Sequence, residues 1–150
     1  MMRAWIMGAA ALGLGLAAAQ GSAAGPATGA ATGTGAGVYT EAQAAEGAAI
    51  FAERCAMCHG KQAEGTWEVP ALKGRFMANW GHGTLAALSD YLARAMPQFA
   101  PGTLSQEDNV RLVAFLLKTN GHRAGAKPLS ADHAALAGIT LDAVPAGAVK

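Results

Sequence analysis

Apolar residues recur at helical spacing in three stretches of the chain, and polar residues fill the positions between them. In the first, Gly47, Ile50, Phe51, Arg54, Cys55 and Cys58 follow one another at steps of three and four, which predicts one helix from Glu41 to Cys58. Thr40 stands at its start as an N-cap. Gln43 sits at the third helical position, the pattern of a capping box. In the second, Thr84 caps a helix whose apolar face is Leu85, Leu88, Tyr91, Leu92 and Ala95. In the third, Ser105 caps a helix with Val110, Val113, Ala114 and Leu117 on one face, and Asn120-Gly121 stops it. Ser130 is placed to cap a short last helix ending at Ala137. No segment alternates in the manner of a strand, so the domain reads as all-α.

Two stretches stand outside this pattern. Residues 1–19 read as an export signal: Arg3 gives a positive start, Ala4 to Leu16 is an uncharged apolar run, and Ala17-Ala18-Ala19 offers a cleavage site. As a helix, Ala4 to Ala19 would reach roughly 24 Å, short of a hydrocarbon core about 30 Å thick. A membrane association is therefore expected only if this segment stays uncleaved. Residues 20–38 are nearly all Gly, Ala, Thr and Ser, and read as a flexible linker. The folded domain is assigned to residues 39–150.

Composition sharpens the picture. The chain is 52% hydrophobic, but 38 of its 150 residues are Ala, which buries little surface. Something other than large side chains must fill the interior. The net charge is +1, and removing Arg3 leaves 10 basic against 10 acidic residues. That balance gives no footprint for nucleic acid. Two cysteines cannot staple a disulfide scaffold.

Those two cysteines carry the decisive motif, Cys55-Ala56-Met57-Cys58-His59, the Cys-x-x-Cys-His pattern of covalent haem attachment. Two thiols three residues apart on one helical face add to the two vinyl groups of haem, and His59 follows directly to reach the iron. A disulfide, a redox dithiol and half a zinc site are the competing readings. A zinc site needs further ligands, and no other Cys exists. A dithiol oxidoreductase needs alternating strands and helices. One covalently bound haem c with its iron is the expected cofactor. For the second iron ligand, Met57 is constrained between the thiols, and Met77 lies in a segment with no helix to carry it across. Met96 precedes Pro97, which ends the helix before it and frees Met96 on a loop. His82, His122 and His133 are alternative ligands, each otherwise a solvated loop histidine.

The run from Gly47 through Phe51 to Cys55-Ala-x-Cys58-His59-Gly60, with the later pieces, resembles the class I monohaem cytochromes c from about Tyr39 to Ile139. The resemblance implies helices wrapped around one haem, His59 and Met96 as axial ligands, and crossing of the first and last long helices near Gly47 and Phe51. Val69-Pro70-Ala71-Leu72-Lys73-Gly74 is similar to the family segment in which the proline carbonyl receives the proximal histidine's N–H, so Pro70 would orient His59. Trp80 and Arg75 fall where such proteins meet the haem propionates. Phe51, Leu72, Leu88, Leu92 and Leu117 would wrap the haem. Trp80 through Met96-Pro97, Pro101-Gly102 and Asn120-Gly121 is similar to cytochrome modules serving quinoprotein alcohol dehydrogenases and sulfite or thiosulfate-oxidising enzymes. The resemblance implies a periplasmic electron carrier, no enzyme itself, between a dehydrogenase as donor and a terminal oxidase or other acceptor. A haem subunit held permanently in a dehydrogenase complex is the alternative. A gas-binding or peroxidatic protein with an open iron is the third reading.

Overall fold

Side-chain caps start every long helix. In a computed structural model of the chain, which describes residues 32–142, Thr40 Oγ1 accepts the Gln43 N–H at 3.2 Å and opens α1, Glu41–Arg54. Thr84 does the same for α4, Leu85–Ala95, and Ser105 for α5, Gln106–Thr119. Glu107 and Asp108 in the first turn of α5 and Lys118 in its last complement the helix dipole. Two short helices, α2 (Ala56–His59) and α3 (Arg75–Trp80), lie between α1 and α4, and α6 (His133–Ala137) follows α5. The export signal and the first part of the linker, residues 1–31, lie outside the described residues, as do residues 143–150. No helix among the described residues is long and apolar enough to cross a membrane.

α1 and α5 cross at Gly47, whose missing Cβ admits the backbone of Arg111. One turn on, the rings of Phe51 and Phe115 pack with centroids 4.7 Å apart. On the outer side, Arg111 pairs with Glu46 at 2.8 Å and Lys118 pairs with Glu41. The main core lies between α4, α5 and the segment that returns along them, and holds Leu85, Leu88, Val113, Leu117, Leu136 and Leu141. A smaller cluster of Phe51, Ala63 and Leu112 lies toward the ends of α1 and α2.

Several expectations are corrected here. The first helix does not run to Cys58: it breaks at Cys55, whose φ and ψ of −123° and −35° leave the helical range, and α2 restarts from it. The capping box is only half formed. Gln43 spends its side chain on Leu129 instead, donating to its carbonyl at 2.9 Å and accepting its N–H at 2.8 Å. That exchange ties α1 to the segment before α6. The cap of α6 is Asp132, which accepts the Ala135 N–H, while Ser130 accepts the Asp132 N–H.

A minimal pair of parallel strands also exists, β1 (Thr32–Gly33) with β2 (Ile139–Thr140), in the register Thr32 to Ile139. Two-residue strands are too short to leave an alternating pattern. Within the stretch read as linker, residues 32–37 therefore join the fold. Asp142 accepts the Gly35 N–H at 2.8 Å, and its own N–H donates to Thr34 Oγ1, which is fully buried. These contacts are made by backbone and one carboxylate, so a Gly-rich composition is no obstacle to them.

Candidate functional site

The break at Cys55 keeps both thiols and the imidazole in one tight turn. The N–H groups of Cys58 and His59 both donate to the Cys55 carbonyl, at 3.1 and 2.9 Å. Cys55 is half-buried and Cys58 exposed, and the two are not bonded to each other. Burial pushes the Cys55 thiol up, against a smaller pull down from Arg54. A reactive redox dithiol needs the opposite shift.

After His59 the chain doubles back. Gly60 and Gly65 take φ of +79° and +78°. The Gly65 N–H donates to the His59 carbonyl at 2.8 Å, and a Cβ at Gly65 would stand 2.5 Å from the Ala71 nitrogen. This turn returns Pro70 to His59, whose Nδ1 donates to the Pro70 carbonyl at 3.0 Å. A carbonyl only accepts, so the bond puts the proton on Nδ1 and leaves Nε2 with a free lone pair for a metal.

The walls are completed by three later elements. α3 follows from Gly74 and carries Phe76 and Trp80. Trp80 packs on Tyr91 of α4, with ring centroids 5.3 Å apart. Met96 ends α4 in an extended conformation, φ −125° and ψ 148°, the geometry that a following proline imposes. The space between these parts is a cavity of about 740 Å³ lined by Cys55, Cys58, His59, Pro70, Leu72, Trp80 and Met96, and walled by Phe51, Leu92, Leu104, Leu112 and Leu116. That volume lies in the range of cofactor sites. Two thiols at one side, one imidazole with its Nε2 free, one thioether and otherwise mainly apolar walls fit a flat apolar macrocycle with a central iron.

Seven of the eight residues singled out from the sequence thus surround one cavity. Arg75 does not: it is the first residue of α3, is exposed, and is absent from the lining. Arg54 and Asn79 line the cavity and were not singled out. Arg54 is held by Thr103, donating to its Oγ1 at 2.5 Å. Leu88 and Leu117 are fully buried in the main core and do not reach the cavity, where Leu112 and Leu116 stand instead. The segment holding Met77 is helical, as part of α3, contrary to expectation. Among the histidines, His82 and His133 are exposed, and His133 pairs with Asp90 at 3.2 Å. His122 is buried, only 7% exposed, with its Nε2 lacking a partner. None of the three lines the cavity.

A mostly helical domain enclosing such a cavity, with a single Cys-x-x-Cys-His motif at its edge, is a c-type cytochrome domain carrying one covalently bound haem c. Residues 42–116 match the model of the cytochrome c oxidase, cbb3-type, subunit III family. The chain belongs to that family. A thiosulfate dehydrogenase of Stutzerimonas stutzeri (strain A1501) is 32% identical over 91 residues, covering 56% of this chain and 29% of the relative. The chain thus spans less than a third of that relative's length. Among solved structures, the sulfane dehydrogenase SoxCD from Paracoccus pantotrophus matches with 31% identity and a TM-score of 0.48, over 65% of this chain and 52% of that one.

Proposed function

We propose that this protein is an extracytoplasmic one-electron carrier between a dehydrogenase and a terminal oxidase or another redox acceptor. The observation that carries the reading is the presence of His59 and Met96 in the lining of one cavity with both thiols. His59 and Met96 would hold the iron through an imidazole and a thioether, which would leave no position for a substrate or a gas. When bound, the haem supplies reversible one-electron chemistry at its iron, and the protein supplies position and electrostatics.

The chain's own residues divide that work. The thiols of Cys55 and Cys58 fix the cofactor covalently. The Pro70 carbonyl holds the proton on Nδ1 of His59, directs Nε2 inward and raises the basicity of the ring. Met96, a neutral soft ligand, favours the reduced state and sets a higher potential than a second imidazole would. Leu72 adds apolar surface to the cavity wall. Trp80 offers an indole N–H to a carboxylate while its ring packs on Tyr91. Residues 1–19 act as the export signal that brings the chain to the compartment where haem is attached.

The donor is proposed to be a dehydrogenase of sulfur compounds, on the likeness to a thiosulfate dehydrogenase. Carbon monoxide tests the carrier reading. Reduced protein should resist it, and oxidised protein should show a methionine–iron charge-transfer band. Rapid binding without the band refutes the reading and leaves an open-iron protein.

A second reading, a haem subunit held permanently in a dehydrogenase complex, is favoured by exposed Met57, Trp67 and Phe99. Phe99 lines the cavity, and Met57 and Trp67 are next to lining residues in sequence. Such apolar exposure suits a partner surface. Gel filtration of a native extract separates the two: the carrier elutes at its own mass, the subunit with its complex.

A further inference from the structure

Asn120 ends α5, and its side chain is fully buried. An asparagine at a helix end is commonly there because it tolerates left-handed backbone. Asn120 does not use that tolerance: its φ is −97°, and the left-handed position falls to Gly121 at +85°. What it contributes is its amide. Oδ1 accepts the Gly74 N–H at 2.9 Å, and Nδ2 donates to the carbonyls of Leu72 at 2.9 Å and Leu116 at 2.8 Å. A flipped amide would set donor against donor, so the orientation is determined.

Leu72 and Gly74 lie just past Pro70, whose carbonyl receives Nδ1 of His59. The segment from Gly60 to Gly74 has no regular secondary structure of its own. The Asn120 amide fastens it to α5, which is itself held by its crossing with α1. Gly74 is also the residue from which α3 starts, and α3 carries Trp80 to another wall of the cavity.

We propose that Asn120 is a positioning residue for His59, fixing the Pro70–Gly74 loop against α5 and thereby the bond from Nδ1 to the Pro70 carbonyl. The proposal rests on the reading of His59 as an iron ligand. Outer partners that orient a ligating imidazole tune its basicity, and here the segment bearing the orienting carbonyl is fastened to α5 by one amide.

The test compares Asn120→Ala with Asn109→Ala in the haem-loaded protein. Asn109 is also buried and also donates to a backbone carbonyl, that of Ser89 at 2.9 Å, but this partner lies on α4 and not on the Pro70–Gly74 loop. The readouts are solvent exchange of the His59 ring N–H by NMR in the reduced state, and the midpoint potential. Asn120→Ala should speed that exchange by about tenfold or more and raise the potential, because a looser bond to Pro70 makes the ring a poorer donor to ferric iron. Asn109→Ala should lower the melting temperature and move neither. Unchanged exchange and potential in Asn120→Ala overturn the proposal, as do equal changes in both variants. If Asn120→Ala yields no haem protein, the wild type decides. The Gly74 amide and the His59 ring N–H should then open with the same denaturant dependence, and independent opening overturns the proposal. Failure of the underlying reading looks different: wild-type ferric protein would lack the paramagnetic shift of a ligating His59 ring.

Discussion

Gly47 and Arg111 meet backbone to backbone, so closely that a Cβ at position 47 would stand 1.9 Å from the Arg111 carbonyl oxygen. Gly47→Ala must therefore push α1 away from α5. Overpacking at about 3 kcal/mol, less about 1 kcal/mol gained in helix propensity, predicts a net loss of about 2 kcal/mol. Chemical denaturation of the haem protein measures it. An unchanged midpoint would mean that the helices do not cross here.

Gln43 makes a reciprocal pair of hydrogen bonds with the backbone of Leu129. Gln43→Glu keeps the shape and the acceptor but loses the donor, leaving a charged carboxylate against a carbonyl. A cost of about 2 kcal/mol is expected for the buried mismatch. Thr40→Ala should cost about 1 kcal/mol, since it removes only the cap. Thermal melts of the two variants rank the two contacts.

Met96→Ala should leave haem covalently attached, remove the methionine–iron band and lower the potential. Cys55→Ala combined with Cys58→Ala should abolish covalent haem, read on a haem-stained denaturing gel. A band that persists in Met96→Ala would assign the ligand elsewhere.

Two buried groups set the pH range of stability. Burial lowers the His122 pKa from 6.5, with Asp142 opposing, so the folded ring is neutral where the unfolded ring takes a proton. Its contribution is complete above pH 6.5 and falls as pH drops below that value. Burial also raises Tyr39 from 10.0 to about 12, with Glu41 adding to it, and its hydroxyl donates to the His122 carbonyl. An acid raised on folding stabilises below pH 10.0, and that stability is lost between 10.0 and about 12. His122→Gln should flatten the acid limb of a stability–pH curve, and Tyr39→Phe the alkaline limb. Curves that keep both slopes would place the titrating groups elsewhere.

The sequence made the cofactor and most of its setting legible because those features are local. The Cys-x-x-Cys-His spacing is fixed by two vinyl groups, Thr40, Thr84 and Ser105 cap within one turn, and Pro97 constrains Met96 directly. What escaped depends on distant partners. α3 is six residues long and opens on a glycine with no capping side chain, so neither periodicity nor a cap announced it. His122 reads as a loop residue until the fold buries it and brings the Tyr39 hydroxyl to its carbonyl. Leu88 and Leu92 share a helical face, but α4 meets the main core at one and the cavity at the other. Asn120 marks a helix stop in the sequence, while two of the three partners of its amide, Gly74 and Leu72, lie more than 40 residues away.

The β1–β2 pairing also has a meaning in chain entropy. Asp142 and Gly35, 107 residues apart, close nearly the whole described chain into a ring. The cost of such closure grows only with the logarithm of loop length, so a few backbone bonds and one carboxylate suffice to hold it. The two ends of the described segment then lie at one patch. A chain reopened at a surface loop, with Thr32 and Asp142 joined across that patch, should keep the same set of neighbours around the cavity.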